Sequence, residues 1–166
     1  MSLQNAKIPA MTATRRPRKF LVVVDKSDEA HVAIRFATRR AQNTGGRVTL
    51  LCVSQMPEMQ QWRGVEEIMK DEAHAEAENL IHDAAKKVNE LSGIVSELVI
   101  LEGHPADCLL ELLKSDRDLS ILVLATSTAK EGPGPLVATV GTASHYPIPV
   151  TIVPGNLSDT DIDELA

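Results

Sequence analysis

The chain has 166 residues and a formal net charge of −6, with 43% hydrophobic and 24% charged residues. That length supports one hydrophobic core of α/β-domain size, and no apolar run approaches the roughly 18 residues that a membrane span requires. Phe20, Phe36, Trp62 and Tyr146 are the only aromatic side chains, too few for the stacking platforms of single-strand nucleic-acid binding.

The charge is unevenly placed. Residues 1–19 carry Lys7, Arg15, Arg16, Arg18 and Lys19 and no acid, so all 23 acidic residues lie in the remainder. Residues 1–18 read as a flexible basic head. It lacks the apolar core of a secretory signal, which points to a cytoplasmic protein. The acidic body excludes nucleic acid as a partner, because neutralising phosphates needs clustered Lys and Arg. Only the head offers such a cluster. Cys52 and Cys108 stand far apart, outside any CxxC pair, and read as buried, reduced thiols. His74 and His82 have no third ligand in reach and read as exposed or edge helix residues.

In chain order, Phe20–Asp25 is a β-branched run, as in a strand buried on both faces. Ser27-Asp28-Glu29 is expected to open a helix, with Ser27 as N-cap and acids in the first turn. Ala30, Ala33, Ile34, Ala37 and Ala41 form its apolar face. Gly45-Gly46 closes it before a second strand, Arg47–Val53. Ser54–Arg63 is a connecting loop in which Met56, Met59 and Trp62 either cap the sheet or form a contact surface. A long helix runs from about Val65 to Leu91, its buried stripe including Ile68, Ala77, Ile81, Ala84 and Val88.

The third strand is Val95–Leu101. Gly103-His104-Pro105 turns into a helix that starts at Pro105, where the missing N–H costs nothing. Leu119–Ala125 is the fourth strand, and a short helix follows near Pro135–Ala143. Val150–Val153, flanked by Pro147, Pro149 and Pro154, reads as a last, edge strand. The acidic tail 155–166 is expected to be loose. Alternation of apolar strands with helices demands a parallel sheet covered on both faces, hence a three-layer, doubly wound α/β domain over residues 19–154.

In such sheets ligands bind beyond the carboxyl ends of the strands. Asp25-Lys26-Ser27, Val53-Ser54, Gly103-His104 and Thr126–Gly134 occupy those positions. The segment Thr126-Ser-Thr-Ala-Lys-Glu-Gly-Pro-Gly134 offers hydroxyls, a lysine and glycines ahead of a helix N-terminus, a composition suited to an anion or simply to a loop. It is neither a P-loop nor a GxGxxG turn.

Several features in this order resemble the universal stress protein family. They are Phe20–Asp25 with Lys26-Ser27-Asp28-Glu29-Ala30, the Glu/Ala-rich run Glu72–Glu78, Gly103-His104-Pro105-Ala106, Asp118–Ala125 and Pro147–Val153. The resemblance implies a five-stranded parallel sheet of order 3-2-1-4-5 and a homodimer formed through Val150–Val153. One branch of the family binds ATP through G-x2-G-x9-G-[ST] after the fourth strand; here that motif is altered. Reading Gly141-Thr142 as its end would leave too little chain before Pro147 for a crossover helix. The helix therefore starts at Gly134-Pro135, Gly141 lies inside it, and the phosphate loop shortens to Gly132-Pro133-Gly134.

By resemblance, Asp25 contacts ribose or adenine and Val53 offers backbone contacts to the base, with Ser27 beside them. Thr126, Ser127, Thr128, Lys130, Gly132 and Gly134 are the candidates for the phosphates. The readings that need no ligand make Asp25 a helix-entry acceptor, Val53 a strand-end core residue and the glycines a simple turn. The implied ligand is ATP, ADP or AMP, with Mg2+ as an accompanying ion, bound as a regulatory signal by a non-enzymatic stress-response protein. The alternatives are a nucleotide-independent homodimeric interaction module and, behind it, a weak ATP hydrolase using Asp25 and His104.

Overall fold

A computed structural model describes residues 16–55, 63–143 and 145–166. Met56, Met59 and Trp62, the candidate cap or contact surface, lie outside the described residues, as does most of the basic head. The elements are β1 (Lys19–Val24), α1 (Ala30–Thr44), β2 (Arg47–Ser54), α2 (Arg63–Ser92), β3 (Glu97–Glu102), α3 (Pro105–Ser115), β4 (Leu119–Ala125), α4 (Pro135–Thr142), β5 (Val150–Val153) and α5 (Asp159–Leu165). All strand pairs are parallel, in the order β3-β2-β1-β4-β5. This is the expected doubly wound sheet, with β3 and β5 at its edges.

The central strand explains the apolar run read from the sequence. Alternate residues of β1 feed opposite layers: Phe20, Val22 and Val24 pack with α1 and α2, while Leu21 and Val23 pack with α3 and β4. Leu21 and Val22 are fully buried, each worth about 1.5–3 kcal/mol against exposure. Both cysteines are buried and free. Pro105 and Pro135 each start a helix, and Gly141 lies inside α4. No helix among the described residues is long and apolar enough to cross a membrane.

Four local expectations are corrected. Helix α1 begins at Ala30, not at Ser27; Glu29 occupies the cap position with no side-chain cap bond, and the first turn holds no acid. The amide and hydroxyl of Ser27 are instead spent on the Asp25 carboxylate, a local bond that competes with capping. Strand β3 starts two residues late, leaving Val95 85% exposed. Ile68 is 59% exposed rather than buried, because the first turns of α2 precede its packed stripe of Ala77, Ile81, Ala84 and Val88. His82 is exposed and His74 half-buried, as expected of exposed or edge helix residues.

The fourth correction concerns the tail, which is folded. Helix α5 opens with a capping box in which Ser158 and Asp161 satisfy each other's backbone N–H. Its one buried residue, Ile162, enters the α1–α2 layer of the core with no exposed surface. Asp163 accepts from Arg35 Nε and Nη2 at 2.8 and 2.7 Å and from Arg39 Nε at 3.0 Å. An acidic segment reads as solvated until its arginine partners on α1 are placed beside it.

These bonds hold the Asp163 carboxyl at about 2, below its ordinary 3.8, first through Arg35 and then Arg39. A depressed carboxylate contributes stability above its unfolded value and loses it as pH falls through the folded one. Asp163→Asn is therefore expected to cost about 1 kcal/mol at neutral pH in urea unfolding, the difference from wild type shrinking between pH 4 and 2. Ile162→Ala, which empties a core position, should cost about 2–4 kcal/mol at any pH in that range.

Candidate functional site

The parallel order brings the carboxyl ends of β2, β1 and β4 side by side, and Asp25 immediately follows the middle one. Its Oδ1 accepts from the Ser27 amide at 2.9 Å and from the Ser27 hydroxyl. This turn fixes the carboxylate at the strand end with Oδ2 unpaired among the described residues. Asp25 borders two hollows on opposite sides of β1.

The first hollow lies toward β2 and α2. Asp25, Lys26, Cys52, Val53, Ser54 and Glu76 help to line its roughly 320 Å3, the low end of the range for small-ligand pockets. Lys26 Nζ and Glu76 Oε1, 2.5 Å apart, form an ion pair on its rim. Cys52 is on the wall. Burial, reinforced by the charges of Asp25 and Glu76, pushes its thiol up to about 11, so at neutral pH it is an uncharged, apolar surface.

The second hollow is the cleft between β1 and β4. Asp25, Ser27, Ala33, Pro133, Gly134 and Leu136 are among its walls, and it encloses only about 50 Å3. Pro133 and the first turn of α4 form one of its walls. The loop that closes it is partly self-satisfied: the Ser127 amide donates to the Pro133 carbonyl at 3.0 Å, and the Ser127 hydroxyl accepts from the Ala129 amide at 3.1 Å. The amides of Gly134, Leu136 and Val137 donate to no acceptor among the described residues, as expected at the open N-terminus of α4. Gly134 stands at φ 96°, ψ 153°, a conformation open only to glycine, on the wall of the cleft.

The predicted residues thus divide. Asp25, Ser27 and Gly134 meet at the narrow cleft, and Asp25 and Val53 share the larger hollow. Thr126 belongs to the scaffold: its amide donates to the Val153 carbonyl at 2.9 Å and its Oγ1 accepts from the Gly155 amide at 3.1 Å. Thr128 and Lys130 are exposed, and Gly132 is half-buried at φ 114°; none of the three lines either hollow. Lys26 was legible as a strand-end residue beside Asp25, whereas sequence reasoning missed Glu76, its partner on the rim. The only signal for Glu76 was its position next to the buried Ala77, on the turn of α2 that reaches the sheet.

A doubly wound parallel domain with an acid after β1 and a glycine-led helix N-terminus after β4 defines a class of ligand-crevice proteins. The match to a family model is more specific: residues 17–154 match the universal stress protein family, and the chain belongs to that family. Solved structures similar to it include the universal stress protein UspA from Lactobacillus plantarum, at 21% identity and TM-score 0.70, covering 83% of this chain and 98% of that one. A universal stress protein family member from Arabidopsis thaliana with AMP bound matches at 21% identity and TM-score 0.59, over 87% of this chain and 99% of that one. The universal stress protein from Archaeoglobus fulgidus in complex with dAMP matches at 21% identity and TM-score 0.56, over 82% and 97%. At these identities the likeness is one of fold. No match was found among curated proteins.

The seam between β4 and β5 is tight enough to test. A Cβ on Gly155 would stand 2.0 Å from the Thr126 carbonyl oxygen, so Gly155→Ala must push the two strand ends apart. It is expected to cost about 2 kcal/mol in chemical unfolding. Cys52 in the native protein is expected to resist iodoacetamide at pH 8, as read by intact mass.

Proposed function

We propose that this protein binds an adenine nucleotide as a regulatory signal, in the cytoplasm and without turning it over, as part of a stress response. The observation that carries the reading is the position of Asp25, whose unpaired Oδ2 stands between a base-sized hollow and the cleft bordered by Gly134. On this reading the base occupies the hollow beside Val53, and Asp25 accepts from a ribose hydroxyl or the base. The phosphate meets the free amides at the start of α4. Any Mg2+ arrives on the phosphates. The AMP and dAMP complexes of family members with the same fold support the ligand class.

The cleft, at about 50 Å3, is far smaller than the hollow beside Val53. On this reading binding selects a form in which the 127–134 loop withdraws from β1. That loop is held by few bonds, chiefly the Ser127–Pro133 contact and the Ser127 turn, so its displacement is cheap beside a core rearrangement. The ligand thereby acquires a signalling role, because its presence resets a surface next to β5.

The narrow cleft equally favours a second reading, a nucleotide-independent interaction module. Here the edge strand β5, with Ile152 44% exposed, pairs with a second copy of the chain. The two readings part in one titration. AMP is expected to bind the full chain and raise its melting temperature, with Asp25→Ala weakening binding roughly tenfold, the loss of a charged hydrogen bond. No heat and no thermal shift at millimolar AMP would leave the interaction module as the surviving reading. Phosphate release from ATP that vanishes in Asp25→Ala would instead make the protein a hydrolase.

A further inference from the structure

The edge of the sheet opposite the crevice collects a different chemistry. In a parallel sheet every strand starts on the same side, and β2, β1 and β4 are neighbours. Lys19 is in register with Arg47 and with Leu119, so the residues just before β1 and β4 fall beside them. Arg16, Lys19, Arg47, Arg117, Asp118 and Ser120 surround a hollow of about 290 Å3. The sequence placed its basic cluster in residues 1–19 alone; the fold adds Arg47 and Arg117 to it.

The carboxylates here are already engaged. Asp118 pairs with Arg16 at 3.0 Å, and Lys19 Nζ lies 2.5 Å from Asp116 and 2.6 Å from Glu97. Burial alone would lower the Lys19 ammonium, but the hydrogen bonds and charges of Asp116 and Glu97 outweigh it and keep the group cationic. The Ser120 hydroxyl accepts from the Lys19 amide at 3.1 Å and donates to the Asp118 carbonyl, and the Arg47 amide donates to the Arg18 carbonyl at 2.8 Å. The floor is thus bonded in place. Arg47 and Arg117 remain exposed, with no carboxylate partner among the described residues.

With Lys19 and Arg16 matched to carboxylates, the two unpaired guanidinium groups select an anion with several oxygens on each centre, since each planar fork binds phosphate bidentately. The hollow is concave and its described walls carry no aromatic ring, so a base would find nothing to stack on. A chain with 23 acidic residues against 17 basic ones repels an extended polyanion beyond the patch itself. We propose that this amino-edge hollow is a second binding site, for a compact and multiply charged phosphate anion, with Arg47 and Arg117 as its gripping residues.

The site is independent of the nucleotide reading and lies on the other edge of the sheet. Inorganic triphosphate titrated into the full chain at about 0.15 M salt is expected to bind one to one. Arg47→Ala with Arg117→Ala should weaken that binding roughly tenfold or more, and Arg47→Lys with Arg117→Lys by less. Both pairs change only exposed side chains. Asp25→Ala should leave triphosphate binding unchanged, and the Arg47→Ala, Arg117→Ala pair should keep the wild-type response to AMP, which separates this site from the crevice. In the Asp25→Ala protein, competition by ATP would identify a nucleotide's phosphate tail as the source of the anion, and its absence a free oligophosphate; either supports the site. No binding by the wild-type chain, equal affinity in the double alanine variant, or loss of binding in Asp25→Ala would overturn it.

Discussion

The parallel register of β2, β1 and β4 is the constraint on which everything else in this molecule depends. Because the three strands run the same way, their carboxyl ends share one edge of the sheet and their amino ends the other. Residues far apart in the chain are thereby sorted by the end of the strand they adjoin. Asp25, Val53 and the 126–134 segment gather at one edge; Lys19, Arg47 and Arg117 gather at the other. Burial of β1 on both faces holds this register, since a slip by one residue would exchange the side chains of the two layers.

The two edges differ in how their polar groups are satisfied. At the carboxyl edge, Asp25 and the first amides of α4 retain unused bonding capacity, and a loop with few internal bonds covers the space between them. That combination suits a ligand whose binding is coupled to loop movement. At the amino edge the carboxylates are matched to Arg16 and Lys19, and the surplus is cationic and outward-facing. The first edge is covered by a loop and the second is open.

Helix α5 shows how a weakly structured stretch becomes part of the domain. A single apolar side chain, Ile162, and a doubly held carboxylate, Asp163, attach it to α1. The preceding turn matters as much: Gly155 passes so close to Thr126 that only a residue without a side chain fits. The ends of β4 and β5 are locked together at that point. The 127–134 loop thus departs from a fixed point at Thr126.

Strand and helix periodicity was legible because it is a local consequence of which residues must face a core. β4 and the start of α4 at Pro135 fell where the pattern put them, and so did the strand order that the family resemblance implied. The same local rules misjudged Ser27 and the tail, in each case because a polar side chain found a partner that sequence proximity does not reveal or does not rank. Apolar periodicity thus determined the layered α/β body, the order of the motifs carried the family resemblance, and Asp25 was legible as the acid that ends the first strand. Only the tertiary structure decided that the cleft beside Asp25 is narrow, that Glu76 borders the larger hollow, and that Arg47 and Arg117 join the basic head. Those are facts of distance between segments, and they come into being when the sheet closes its long-range pairings.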